Sequence, residues 1–220
     1  MLKMTKRISV ARNDSRYMPL SKIKLIIVDY YGVLTLGSYK NTCLWLAKKY
    51  KLDFDYVYQI IYHKYFSPAA LGKITEKQSF ELPAKELGLK ETWRELRAKH
   101  LSFQKKNKPV FNYVLKLQQA GFTVLLLSKN TPQQFDEALK KIGTRIYFKN
   151  IINTFDLKLP KASAKMIKYV LKKFKVKPEQ VIMIDDQDFN LVEANKLGVK
   201  TIYYKNFKQF KKELAGYLKA

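Results

Sequence analysis

Cysteine is almost missing from this 220-residue chain, since Cys43 stands alone. No internal disulfide can form, so the fold depends on packing, and a reducing cytoplasm is the expected setting. Histidine is nearly as scarce: His63 and His100 are the only two, and no metal-ligand spacing links them, so both are expected to be ordinary helix residues. No run of about eighteen apolar residues occurs, so no membrane span is expected. The basic stretch Met1–Arg16 lacks the apolar core of a secretory signal, and an amphipathic targeting role is its lesser reading. Acid is also in short supply. Lys+Arg number 43 against 18 Asp+Glu, a formal charge of +25. The first 24 residues account for +6 of this and leave +19 on the remainder, so the excess belongs to the folded domain and not only to a tail. Such a field attracts phosphate-bearing molecules, nucleic acid or acidic surfaces. Arginine, however, supplies only six of the basic residues, and base recognition leans on arginine forks. Phosphate-bearing substrates stay among the expected partners, with drift in composition toward lysine as the bland reading and a dedicated nucleic-acid or other polyanion role second.

What remains is a composition of 47% hydrophobic and 14% aromatic residues, enough for one substantial core and a small inserted subdomain. Residues 1–21 are polar and aperiodic and read as a basic flexible arm. Leu25–Val28 is a continuous apolar run, as in a parallel strand buried on both faces. Similar runs recur at Thr123–Leu127, Val181–Ile184 and Val199–Tyr203. Helical patterns separate them at Pro109–Gln119, after Thr131-Pro132 as far as Gly143, at Ala162–Phe174, at Asn190–Leu197 and at Phe207–Leu218. Strands alternating with helices predict an α/β, doubly wound parallel sheet with its site at the carboxyl ends of the strands.

Residues 38–106 break this rhythm and read as helices only, a subdomain inserted into a core made of 22–37 and 107–220. Thr75-Glu76-Lys77-Gln78 is a capping box opening one of those helices, and Pro83 inside it should kink or split it. Tyr56, Tyr58, Tyr62, Tyr65 and Phe66 make the insertion aromatic-rich. They are expected as its core, with a substrate lining as the alternative.

Three strand ends carry the residues that phosphoryl chemistry uses. Asp29-Tyr30-Tyr31-Gly32 follows the first strand, Ser128-Lys129-Asn130 the second, and Asp185-Asp186 with Asn190 the third, while Lys161 opens the preceding helix. An aspartate can attack phosphorus or carbon to form an acyl intermediate. Carboxylates with a backbone carbonyl bind Mg²⁺ as hard oxygen ligands, and a hydroxyl with an ammonium can hold phosphate oxygens. Singly, each has a bland reading: a turn aspartate, a helix cap, one lysine among many. Lys161, Lys165, Lys168, Lys172 and Lys175 also line one helix face, read as solvated, with Lys161 at its crevice end.

Taken together, these residues resemble, in order and over roughly residues 24–205, the four motifs of the haloacid dehalogenase superfamily. The first is matched by Asp29-Tyr30-Tyr31-Gly32-Val33-Leu34 and the second by Ser128. Lys158 and Lys161 both compete for the third; Lys161 lies 24 residues before Asp185, the usual family spacing, and is preferred. Asp185-Asp186 and Asn190 match the fourth. The resemblance implies a Rossmann-like core with a helical cap at 38–106. It also implies Asp29 as nucleophile, Mg²⁺ on Asp29, the Tyr31 carbonyl and Asp186 with Asp185 adjacent, and Asn190 behind them. Substrate would be held by Ser128, Lys129, Asn130 and Lys161.

One position departs from the phosphatase pattern. Where those relatives carry a second aspartate as acid–base, this chain has Tyr31. A tyrosine there resembles the dehalogenases, which need no metal, yet residues 38–90 lack the cap arginine those enzymes use. Three readings follow: a Mg²⁺-dependent phosphatase, slow for want of its acid–base; a 2-haloacid dehalogenase; or a weakly active protein of this fold that binds polyanions.

Overall fold

The computed structural model describes residues 22–219, so the basic arm at 1–21 lies outside the described residues. Five strands form one parallel sheet: β1 (Leu25–Asp29), β2 (Thr123–Ser128), β3 (Asn150–Asn153), β4 (Val181–Asp185) and β5 (Lys200–Tyr203), in the order β3-β2-β1-β4-β5. Helices cover both faces, which is why β1 and β4 are buried at every residue and read as unbroken apolar runs. One face packs Ile26, Val28, Leu126 and Ile182 against Val114, Leu139 and Phe210. The other packs Ile27, Leu125 and Met183 against Met166, Ile167 and Val170 of the helix Ala164–Phe174. The chain reverses direction across the sheet at β1, which lies between β2 and β4. Ligands of open α/β sheets bind at such a switch point. The pairing of Val28 with Ile184 and of Asp29 with Leu127 brings Asp29, Ser128 and Asp185 to one edge of the sheet.

Several local expectations are corrected. β3 has no counterpart among the expected strands, because Asn150–Asn153 is a four-residue, only partly buried edge strand with asparagine at both ends and leaves no apolar run. The helix expected from Ala162 begins at Ala164, where the Ser163 side chain accepts from Met166 N–H. Lys161 therefore sits in the turn before that helix and not on its lysine face. Asn190–Leu197 divides into a 3₁₀ turn, Asp188–Asn190, and a short helix, Val192–Lys196. The helix Glu76–Glu86 also runs unsplit through Pro83; its Thr75/Gln78 capping box is formed, and Pro83 accepts from Leu87 N–H one turn later.

Between β1 and the helix Lys108–Gln119, the described chain forms helices around a core of their own that includes Leu46, Val57, Phe80 and Leu96. The two linkers to this cap run side by side: Leu36 N–H donates to the Lys105 carbonyl and Asn107 N–H to that of Leu34. At Gly37 a Cβ would lie 2.6 Å from the Phe103 backbone, so only glycine lets the linkers touch. Phe54–Tyr58 continues into an eight-residue π-helix, Gln59–Phe66. Such wide turns are rare and frequently sit at functional sites. Here the segment aligns Tyr58, Tyr62 and Phe66 in a ladder, the first two rings stacked at 4.8 Å and 9°.

Candidate active site

Asp29, at the end of β1, and Asp185 and Asp186, at the end of β4, present oxygens that all lie within 4.8 Å of one another. Lys161 Nζ reaches into this cluster, 2.5 Å from Asp29 Oδ1 and 2.7 Å from Asp185 Oδ2. Burial alone would weaken the Lys161 ammonium, but Asp185 and Asp29 outweigh it and push its pKa up. Burial raises the Asp29 carboxyl, with Asp185 adding to the rise and Lys161 opposing it. Asp186 is pushed up to about 6 by burial and by Asp185. Three crowded carboxylates face Lys161 in contact and Lys129 from farther off, which leaves negative charge in excess, the condition a hard divalent cation relieves.

The three aspartates are not equivalent. Asp185 Oδ1 accepts from Gln187 N–H at 2.9 Å and from Asn190 Nδ2 at 3.0 Å, and its other oxygen faces Lys161. Both of its oxygens are thus engaged by the protein. Asp186 instead points at the first turn, where a Cβ on Gly32 would fall 2.0 Å from its Oδ2. Gly32 also holds φ +86°, so glycine is required there twice over. Asp29 and Asp186, beside the backbone of Tyr31-Gly32, are the donors that fit Mg²⁺, with Asp185 behind them.

Ser128 is fully buried beside these groups and its Oγ has no hydrogen-bond partner. A buried hydroxyl left unsatisfied calls for an explanation, and an anion in the crevice would supply one. Asn130 is held in place: its N–H donates to Asn153 Oδ1 at 3.2 Å and its own Oδ1 accepts from Thr131 N–H at 2.8 Å. Of the two competing lysines, Lys158 lies elsewhere, in left-handed conformation, its ammonium 3.6 Å from the Phe155 ring centre.

Tyr31 packs its ring edge-on against Tyr30 at 5.0 Å and near Phe135, with its hydroxyl buried beside Asn130 and Gln104. Burial raises its pKa well above the ordinary phenol value, so it is no base at neutral pH. The cap closes the crevice from above. Tyr62 OH donates to Gln187 Oε1 at 2.8 Å, and Gln187 Nε2 donates to Tyr58 OH at 3.2 Å. Thr131 Oγ1 and Arg97 both donate to Glu76, and Arg97 also meets Glu137. The partly open pocket between cap and core domain is lined by Asp29, Tyr31, Lys161 and Asp186 below and by Tyr39, Tyr62 and Phe66 above. Tyr62 and Phe66 thus serve both expected roles, cap core and pocket wall. Sequence reasoning missed Gln187, Tyr39, Ser38 and Lys40 as lining residues. Only the position of Gln187 directly after Asp185-Asp186 could have pointed to it.

The fold and site define a hydrolase of the α/β class with a helical cap. The sequence model of the haloacid dehalogenase-like hydrolase family matches residues 58–204, two thirds of the chain, and the chain belongs to that family. A curated relative, glyceraldehyde 3-phosphate phosphatase of Pyrococcus furiosus, is 26% identical over 93 residues. That match spans 42% of this chain and only 39% of the relative's length. Among solved structures, a HAD family enzyme from Bacteroides thetaiotaomicron superposes with TM-score 0.68 at 21% identity, over 83% of this chain and 94% of the other. That enzyme has also been crystallised with magnesium and inorganic phosphate. L-2-haloacid dehalogenase from Xanthobacter autotrophicus superposes with TM-score 0.61 at 17% identity, over 88% and 82% of the two chains. These likenesses share the fold between phosphate and carbon–halogen chemistry. No helix among the described residues is long and apolar enough to cross a membrane.

Proposed function

We propose that this hydrolase is a Mg²⁺-dependent phosphatase of small phosphorylated metabolites, working through an aspartyl-phosphate at Asp29. The observation that carries the reading is the excess of carboxylate over ammonium at the ends of β1 and β4. Asp29 and Asp186, with the Tyr31 carbonyl, would hold the ion, and Asp185 would orient Lys161 and Asn190. When bound, Mg²⁺ offsets the charge of these carboxylates and of the phosphoryl oxygens.

Ser128 Oγ and the Lys161 ammonium hold the non-bridging oxygens, and the Asp29 carboxylate attacks phosphorus. A bond from Asp29 to phosphorus forms as the ester bond breaks, and the departing oxygen takes a proton from solvent. Water then cleaves the aspartyl-phosphate, giving inorganic phosphate. With Tyr31 in place of a carboxylate, neither proton transfer has a positioned acid–base, so turnover is slow. The second reading, carbon–halogen hydrolysis, draws on that same tyrosine and on the dehalogenase-like fold.

Phosphate release from a panel of phosphorylated metabolites, and halide release from 2-haloacids, each with and without Mg²⁺, separates the two. Asp29→Asn keeps the shape but removes the nucleophile, so phosphate release should fall by several orders of magnitude. A variant retaining a third of the wild-type rate would place the chemistry elsewhere.

A further inference from the structure

The floor and the roof of the pocket treat their cations differently. On the floor, Lys161 is matched by Asp29 and Asp185. Lys129 lines the same pocket, yet no carboxylate among the described residues lies within ion-pair distance of its ammonium. Its contacts all belong to the cap: the Tyr62 ring at 4.3 Å, the Phe66 ring at 5.6 Å and Ser67 Oγ at 3.4 Å. Taking an ammonium out of water without a counter-ion is costly, and ring faces offset only part of that cost. Burial, with Lys161 nearby, lowers the Lys129 pKa to about 8, and the more distant Asp29 and Asp185 offset only part of that fall. Lys40, exposed, adds a second cation at the rim of the same pocket.

We propose that Lys129 selects short phosphate esters that carry a second anionic group, a carboxylate or a further phosphate, on the part of the molecule beneath the cap. The inference rests on the phosphatase reading, because it takes the reacting phosphate to lie on the floor against Ser128 and Lys161. The position of Lys129 decides between its two uses. An ammonium serving the reacting phosphate belongs among the floor groups, whereas this one touches only cap residues, where the rest of a substrate must lie. In the sheltered space beneath the cap, an anion gains more from a half-buried cation than it would at an open surface. A neutral group at the same place leaves the cation unmatched, which is the basis of the discrimination.

Inert phosphonates test this without turnover. Phosphonoacetate and phosphonoacetamide have nearly the same shape and differ by one negative charge, as do 3-phosphonopropionate and its amide. Calorimetric titration into the wild-type protein with Mg²⁺ should show at least one acid binding tenfold or more tightly than its amide. In Lys129→Gln, confirmed as folded by its melting curve, that ratio should fall close to one, with the acid losing far more affinity than the amide. Methylenediphosphonate, run alongside, tells a second phosphate from a carboxylate as the preferred anion. Equal binding of acid and amide by wild-type protein overturns the second-anion inference alone, as does an equal loss of both in the variant. Failure of every phosphonate to bind overturns it together with the phosphatase reading.

Discussion

At Tyr31 a single side chain sets both the chemistry and the packing of the crevice. Its ring fills space between Tyr30 and Phe135, and its hydroxyl is buried beside Asn130 and Gln104. Tyr31→Asp should therefore act in two opposite directions. A positioned carboxyl contributes on the order of 10²–10⁴-fold to proton transfer, so release of phosphate from p-nitrophenyl phosphate with Mg²⁺ should rise at least about tenfold, even allowing for imperfect placement. Losing the ring from a packed site should cost on the order of 3 kcal/mol, seen as a lower melting temperature. Turnover that drops in a variant still shown to be folded would give the tyrosine a positive role and move the weight to carbon-centred substrates. Asp185 and Asp186 carry a related lesson: adjacent in sequence, they differ because only Asp185 has both oxygens engaged by Lys161, Gln187 and Asn190.

The cap is an assembly of helices whose interior holds an uncharged histidine. His100 is buried, its Nδ1 lies 2.9 Å from Thr42 Oγ1, and its ring packs against Tyr39. Burial, with Arg97 adding to the effect, pushes its pKa down to about 3. The folded state therefore refuses a proton that the unfolded chain takes up below about pH 6.5. Stability from this group is complete above that pH and is lost as pH falls toward 3, at up to about 1.4 kcal/mol per pH unit. His100→Gln keeps a hydrogen-bonding group but removes the titration. Its unfolding free energy should fall less steeply between pH 6 and 4, by close to one proton. Parallel curves for the two proteins would mean that carboxylates alone drive the acid transition. The π-helical segment belongs to the same scale, because its register turns Tyr58 and Tyr62 toward Gln187 and so ties the cap to the loop bearing Asp186.

For the whole molecule, charge and metal binding are coupled to stability. A cation that binds the folded carboxylate cluster, and not the unfolded chain, stabilises by mass action: about 2.7 kcal/mol at a hundred times its Kd. For a protein of this size that corresponds to a rise of roughly 5–10 °C in melting temperature. Millimolar Mg²⁺ should produce such a shift, and Asp186→Asn should abolish it; an unmoved wild-type transition would rule out the cation site. The formal charge of +25 is spread widely, with Lys165, Lys168, Lys172 and Lys175 exposed along one helix. Polyanion binding, where it occurs, should be electrostatic. Affinity for RNA or heparin should collapse between about 50 and 200 mM salt and be indifferent to base sequence. Retention of one RNA sequence over others at physiological salt would instead promote a dedicated nucleic-acid role.

Much of this was written in the order of residues along the chain. Burial on both faces demands unbroken apolar runs, so β1, β2 and β4 announced themselves. A strand end facing a crevice must carry the polar groups, so Asp29, Ser128 and Asp185-Asp186 were legible beside them. The preference for Lys161 over Lys158 came from the spacing that the family resemblance implies, and the fold brings Lys161 to the carboxylates. β3 and the start of the helix at Ala164 were not legible, because a short edge strand leaves no period and a buried lysine before a cap resembles a helix residue. Nor could one-dimensional pattern say which cap side chains face the core domain. Period tells which face of a helix is apolar, but Tyr62 and Phe66 are apolar toward the cap core and the pocket alike. The sequence by itself determined the parallel sheet and the chemistry at its edge, because both follow from local burial and residue type. Only the tertiary structure decided that Gln187 meets Tyr58 and Tyr62 and that Lys129 meets the cap, with no described carboxylate within ion-pair distance. Those facts depend on contacts across more than sixty positions of chain, which no local signal encodes.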